Sequence, residues 1–584
     1  MTAMSLLASR PTPRRGREPR PAPARSFAAT AVRRLRPTET GVAFSIATLA
    51  YAAIAIAAAV RDVHFGDAET RLNQAEAVVY GSDPHLGAVG FIFGPLPSLA
   101  IAPFLPLQTI WPVLEHDNVF GGVESALFMA GALAITLSTL REAGTPRTAR
   151  WILTGLFGLS PFIVVFGTNG MAEAPMTFFL ALATRALLRW ISDPLGARYR
   201  SLGTCGIALG GAYLCRFEPL AAGFAATALV ALVSWQRHGG RAAGIDARRW
   251  AALDAALIGV PFAATVVVLA AISKVLVGAW LPDATNNQAQ VDASRGRLDA
   301  LFGHTLGSRG HFLLTQMVAT EPLFPVAVGL GLLVLLQRRD VRILAPVAVL
   351  GAVLFADVAV FFRGGNFGFL RYYISIVPLT VLLVGIWIAP KPEVRRRPAL
   401  LVDKPPVWRS IAGVAVVAWA FVTCGPLFHD RNIAGQEYRY YLALLHPDRA
   451  RALEDSGDVY IMANAHQAAH AIDALHAPDG SILTDSANSF AVQTMTAKRS
   501  VFLGNADRGW ARALAAPGRF GISYLLVTDA GSAHGDALEQ AYPQLASGGG
   551  SVATLIGDFP SKTSPSFRLY KLLPGAPGAT GIEG

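Results

Sequence analysis

From Gly41 to Leu427, apolar runs of about 15–25 residues alternate with short polar breaks, and about 20 apolar residues let a helix cross a bilayer. Runs stand at 41–60, 118–140, 151–168, 171–190, 201–215, 219–235, 252–273, 312–336, 341–362, 369–390 and 410–427. They predict about eleven transmembrane helices, an odd number that puts the two chain ends on opposite sides. Residues 88–112 are also apolar but hold Pro95, Pro97, Pro103, Pro106 and Pro112, and proline removes a helix hydrogen bond and clashes with the preceding turn. They are read as an interfacial or re-entrant segment inside a long outer loop, 61–117. After residue 429 the pattern changes. Strand-like runs at 481–484, 500–503, 522–527, 551–556 and 568–572 alternate with helical stretches at 456–476 and 507–516. The predicted fold class is an all-α polytopic membrane protein with a small C-terminal soluble α/β domain. Its parts are a basic tail (1–38), the transmembrane domain (39–428), the α/β domain (429–575) and a short tail (576–584).

Charge orients this arrangement. Cytoplasmic loops carry the excess of Lys and Arg. The tail before residue 39 has nine arginines and one acid, Glu18, a composition that cannot bury a core and reads as disordered. Arginines also mark the loops at Arg141/Arg147/Arg150, Arg198/Arg200, Arg237/Arg241/Arg248/Arg249, Arg338/Arg339/Arg342 and Lys391–Lys404. With eleven spans and the N-terminus inside, all of these fall on one side. The outer loop 61–117 and everything after 428 then lie outside the cell membrane. The composition agrees. Of 584 residues 53% are hydrophobic and 15% charged, against about 25% charged in a soluble chain. The net charge of +11 rests on arginine over lysine, 44 to 6, which reads as coding bias and not as a nucleic-acid surface. The three cysteines lie in apolar runs and offer neither a disulfide framework nor a zinc site. No G-x-x-x-x-G-K-[ST] and no dinucleotide fingerprint is present, so ATP or NAD use is not implied.

Ionisable residues at the membrane are costly and mark function. The densest set follows the first run: Asp62, His64, Asp67, Glu69 and Arg71 in RDVHFGDAETRLNQAEAVVYG. A partly desolvated carboxylate there can act as a general base; the plainer reading makes Asp67 a helix N-cap. No D-x-D pattern is present and no metal-ligand set is identified. Loop 274–311, with Lys274, His304, Arg309 and His311, reads as a solvated loop or a lid. Asp485 and Ser486 in the exterior domain read as a helix cap.

The opening GDAETR of the first outer loop, the segment FGPLPSLAIAPF, and the strings TNGMAEAPMTFFLALA and LCRFEPLAAG resemble, in that order, the GT-C superfamily of membrane glycosyltransferases. The proline-rich segment is similar to one in the protein mannosyltransferase and aminoarabinose transferase families. The resemblance spans 41–427 and implies transfer of a hexosyl or pentosyl unit from a polyprenyl-phosphate donor to an envelope glycan, lipid or protein outside the cytoplasm. It makes Asp67 the acid that activates the acceptor hydroxyl. The superfamily's second acid is replaced by Ala68, with Glu69 one position further as a second catalytic candidate. On that reading Arg371, Arg363 and Tyr372, in FRGGNFGFLRYYISIVP, bind the donor phosphate, a task that suits the planar guanidinium fork. Glu173, Arg216, Glu218 and His85 line the substrate cavity. The expected reaction is direct displacement with inversion. No cofactor is implied; a divalent cation stays open. The rival readings are a secondary transporter or lipid flippase, disfavoured by the absence of repeated halves, and a non-catalytic scaffold.

Overall fold

The computed structural model describes residues 38–61, 63, 65–91, 93–111, 118–192, 198–240, 242, 244–280, 295–390, 406–428, 431–449, 463–529, 535–561, 565–576 and 578. The basic tail, Asp62, His64, Pro112, the loop 281–294, the loop 391–405 and the extreme C-terminus lie outside them.

Every apolar run named above becomes a helix or a broken helix. Among the described residues, six helices are long and apolar enough to cross a bilayer: Glu39–Ala59, Val119–Ala143, Pro219–Arg237, Ile245–Val277, Val341–Phe362 and Leu370–Ile388. They make the chain a multi-pass membrane protein. The pair Leu306–Thr320 and Phe324–Arg338 passes the same measure together but bends by 83°, where a single span was expected over 312–336. The break falls at Glu321–Leu323, with Pro322 inside it and Pro325 in the first turn of the next helix, and proline readily interrupts a helix. The run 151–168 is likewise split, into Arg147–Leu159 and Pro161–Phe166, with Pro161 opening the second piece. Two others, Glu173–Ser192 and Arg198–Cys215, are helices of 20 and 18 residues.

Local chemistry fixes the helix ends. Thr38 caps Glu39–Ala59 by accepting from the Gly41 amide at 3.1 Å, and Asn118 caps Val119–Ala143 through the Gly121 amide at 3.2 Å. The latter helix stops at Gly144, in the left-handed region at φ 93°. The two helices pack side by side. Ile245–Val277 is the opposite case: its surface is almost wholly apolar and exposed, as a lipid-facing helix requires.

The arginine loops gather at one end of the bundle. Glu39 accepts from Arg147 at 2.8 Å and Arg150 at 2.7 Å. Arg237 donates to the Ile191 carbonyl at 2.7 Å, Arg338 to that of Trp387 at 2.7 Å, and Arg342 to that of Ala143 at 2.7 Å. Cations there satisfy orphan carbonyls at helix C-termini.

At the other end lies the outer loop. Its proline-rich segment forms short pieces, Leu86–Val89, Pro95–Ile101 and Ala102–Thr109, too short to span. Ile101 and Leu105 are buried against Leu72 and Ala75 of the helix Gly66–Tyr80. Gly94 passes so close to the end of Arg198–Cys215 that a Cβ would sit 2.3 Å from the Cys215 carbonyl, so no other residue fits.

The helix Arg431–Leu445, expected at the start of the α/β domain, packs on the bundle. The Tyr440 hydroxyl lies 2.6 Å from Thr168 Oγ1, and that of Tyr441 donates to the Pro161 carbonyl at 2.6 Å. The sheet beyond has five strands: β1 (Ile482–Thr484), β2 (Phe502–Leu503), β3 (Tyr524–Thr528), β4 (Ala553–Phe559) and β5 (Phe567–Leu572). Their order is β2-β1-β3-β5-β4, with β1 parallel to β2 and β3, and β5 antiparallel to β3 and β4. One face is covered by helices Ala463–Ala474 and Ser486–Met495, the other by a cluster around Leu514, Leu538 and Leu545.

Candidate active site

The helix Gly66–Tyr80 carries two chemistries on two faces. Residues four apart share a face, and residues two apart do not. Asp67, Arg71 and Gln74 line a cavity of about 530 Å³. Glu69 and Asn73 face the other way. Glu69 is buried, accepts from Asn118 Nδ2 at 3.0 Å and lies 3.4 Å from Thr494 Oγ1, while Asn73 accepts from Arg499 Nε at 3.0 Å. The helix N-cap is Phe65, so Asp67 lies within the first turn and its carboxyl is available to the cavity.

Asp67 meets Arg371 there. Arg371 Nη1 donates to Asp67 Oδ2 at 2.6 Å across 304 positions of sequence. Arg371 sits in the 3₁₀ turn Leu370–Tyr373 that opens the helix Leu370–Ile388. On the same side Arg71 Nη1 donates to the Asp67 carbonyl at 2.8 Å, and its guanidinium lies 4.9 Å from the Phe93 ring. The Nε atoms of Arg71 and Arg371 are buried and have no hydrogen-bond partner among the described residues. Buried donors without acceptors cost free energy, so two cations with unused donors at one cavity favour an anionic ligand.

Burial alone would raise the Asp67 carboxyl, but Arg371, Arg71 and Arg216 together hold it below the usual carboxylate range. It is therefore ionised at neutral pH. Arg216 shows the converse: burial works against its charge, and Glu218 and Glu173 raise it well above the ordinary value. Each of its three nitrogens donates to a carboxylate. Nε bonds both Glu218 oxygens at 3.0 and 3.2 Å, and Nη1 bonds Glu173 Oε1 at 2.6 Å. Arg216 and Arg371 stand 5.3 and 5.7 Å from the Tyr372 ring centre, so one aromatic ring contacts two guanidinium groups.

The α/β domain completes the enclosure. Asp485, Asn488, Phe490 and Asn505 line the same cavity, more than a hundred positions after Arg371. That domain is held down along the far face of the Asp67 helix by Thr494 and Arg499, and at the loop beyond by Arg508, whose Nε donates to Asp83 Oδ2 at 2.8 Å.

Of the residues singled out from the sequence, Asp67, Arg216, Glu218, Arg371 and Tyr372 share this cavity, and Glu173 joins through Arg216. Three do not. Glu69 lies behind the helix. Arg363 borders a separate void of about 60 Å³ with Asp299 and Arg309, because the turn at Gly364, with φ 71°, carries it away from Arg371. His85 folds back on its own loop, with Nδ1 2.6 Å from the Asp83 carbonyl. Arg71, one turn after Asp67, was singled out in the sequence but given no role of its own. Two functional candidates escaped the sequence reading altogether. Asp357, inside an apolar run, lines the cavity. Glu437, on Arg431–Leu445, is buried, and desolvation pushes its carboxyl up to about 7. Among the described residues no cluster of three or more His, Cys, Asp or Glu could hold a metal ion.

The carboxylate and the arginines thus gather at one end of a helical bundle, under a small mixed sheet. In sequence, residues 114–276 match the model of the dolichyl-phosphate-mannose-protein mannosyltransferases. In fold the chain is similar to the crystal structure of ArnT from Cupriavidus metallidurans bound to undecaprenyl phosphate. The TM-score is 0.51 and the identity 13%, over 93% of this chain and 100% of that one. No curated protein matches the chain in sequence.

Proposed function

We propose that the protein is an integral membrane glycosyltransferase that moves a sugar from a polyprenyl-phosphate donor to an acceptor hydroxyl. The observation that carries this is the Asp67–Arg371 pair in one cavity, with unused donors on Arg371 and Arg71. The mannosyltransferase family match and the lipid phosphate bound in the ArnT structure support a donor of that class.

The chemistry follows from the groups present. The donor phosphate takes the free guanidinium donors of Arg371 and Arg71. In doing so it competes with Asp67 for Arg371 and loosens the ion pair. The freed carboxylate accepts the proton of the acceptor hydroxyl as that oxygen attacks the anomeric carbon. The bond from that carbon to the phosphate oxygen breaks, and its electron pair stays on the lipid phosphate, whose growing charge the two arginines stabilise. A single displacement inverts the anomeric centre. Arg216, saturated by Glu218 and Glu173, shapes the wall against Tyr372. Glu69 is given the role of holding the Asp67 helix. With the arginine loops in the cytoplasm, this end of the bundle and the α/β domain lie outside the cell membrane.

The test is transfer by purified protein in lipid discs, supplied with undecaprenyl-phosphate-linked mannose, glucose, galactose and arabinose carrying radiolabel. Release of undecaprenyl phosphate with inversion, dependent on Asp67 and Arg371, is the expected result. Release that is unchanged in Asp67→Asn overturns the assignment of the base.

A further inference from the structure

Asp357 lies near the end of the span Val341–Phe362, is 3% exposed and lines the same cavity as Asp67 and Arg371. A carboxylate so placed needs a cation or hydrogen-bond donors. Arg216, the cation whose charge acts on Asp357, gives its bonds to Glu218 and Glu173. Asn366 donates to the Asp357 backbone carbonyl at 3.2 Å and not to the side chain. Among the described residues no hydrogen bond or ion pair reaches the Asp357 carboxylate. Its oxygens accept from whatever fills the cavity.

The cavity is unequal in charge. Arg71 and Arg371 hold unused donors beside Asp67, while Asp357 and Glu218 add acceptors around the already engaged Arg216. A lipid phosphate is drawn to the first group and repelled by the second. What suits the second is a neutral group rich in hydroxyls, and a carboxylate oxygen pair accepts well from two neighbouring hydroxyls of one sugar ring. Phe93, Phe367 and Phe369 among the lining residues offer the apolar faces on which a pyranose or furanose packs its C–H groups. We infer that Asp357 binds the donor's sugar, accepting hydrogen bonds from adjacent ring hydroxyls while Arg371 and Arg71 hold the phosphate. This rests on the polyprenyl-phosphate reading above. It adds that sugar identity is read by an acid from a span far from the base in sequence.

The test compares two ligands on one protein. Affinities are measured in lipid discs for undecaprenyl phosphate and for the undecaprenyl-phosphate monosaccharide that the wild type binds best, with Asp357→Asn and Asp357→Ala. The ratio of the two affinities is the readout, because loss of folded protein lowers both together. Binding of bare undecaprenyl phosphate does not weaken, and tightens to the extent that a repelling charge is lost, while the advantage of the sugar-linked lipid falls roughly ten- to hundredfold, as expected for two hydrogen bonds lost in a buried site. The matching deoxy-sugar donors lose a similar factor on the wild type and little more on Asp357→Ala. An unchanged ratio in both variants overturns the role of Asp357 and leaves the donor class standing. Failure of the wild type to bind undecaprenyl phosphate at all overturns the donor reading, and this inference with it.

Discussion

Replacing Asp67 by Asn separates the charge of the base from its shape. The ion pair to Arg371 is short, 2.6 Å, but about a third of the Asp67 side chain is exposed. Two charges about 4 Å apart at an effective dielectric of about 20 attract by roughly 4 kcal/mol, most of which desolvation and solvent screening cancel, leaving about 1 kcal/mol of stability at most. The variant therefore folds. Its site gains one net positive charge beside Arg371 and Arg71. For a phosphate about 6 Å away the same arithmetic gives roughly 1–3 kcal/mol, so bare undecaprenyl phosphate binds at least about fivefold more tightly. Turnover falls by about 10²–10⁴, the usual contribution of a general base. In the wild type, Arg371, Arg71 and Arg216 outweigh burial and hold the carboxyl low, so the acid fall in kcat/KM lies below the pH range in which a free aspartate side chain titrates. Binding is read by calorimetry in lipid discs and turnover by release of labelled sugar. Tighter lipid binding with slower transfer is a signature that misfolding cannot produce. Normal transfer, or affinity that falls in step with turnover, refutes the reasoning.

Three further outcomes follow from the same geometry. Glu69→Gln keeps turnover within about threefold, because Glu69 faces Asn118 and Thr494 and not the cavity; a loss as deep as that of Asp67→Asn makes Glu69 a catalytic group. Arg499→Ala removes a buried guanidinium bonded to Asn73 and costs roughly 3 kcal/mol at the seam between sheet and bundle; limited proteolysis then cuts the 445–463 connection faster, and intact resistance refutes the seam. Glu437 keeps its proton in the folded state up to about pH 7 and gives it up near 4.5 when unfolded, so the folded state loses stability as pH rises between those values. Glu437→Gln removes the loss. Its thermal midpoint equals the wild type's near pH 4 and exceeds it at pH 8, by up to about 3 kcal/mol in stability, and equal midpoints at both pH values refute the buried-proton argument.

What could be read from the chain beforehand depended on whether a signal was local. The apolar runs and the prolines of 88–112 act within a helix or a turn, so helix positions and the absence of a span there were legible. So were the strands, whose short apolar runs lie close to the observed β1–β5. Breaks inside an apolar run were harder. Ser160–Pro161 and Glu321–Pro325 carry breakers, yet hydropathy averages over them, and the 83° bend leaves no trace in composition. At the site, Asp67 with Arg371 was reachable by chemical reasoning from the side of the membrane each occupied. Nearness in sequence misled for Glu69 and Arg363: two positions along a helix turn a side chain to the opposite face, and a glycine turn redirects the other. Asp357 drew no notice because the run around it reads as an ordinary span. The roof drew none because no periodicity encodes which domain settles on which.

The cavity is made in two instalments. Asn73, on the helix that supplies its floor, bonds a partner 426 positions later. At a synthesis rate of roughly 5–20 residues per second, the floor waits about 20 to 85 seconds for its ceiling. Until then the bundle is an open, arginine-edged bowl that gives water free entry, so, if the donor is the polyprenyl phosphate proposed above, a ribosome that stalls before the sheet is made leaves behind a trap for that lipid.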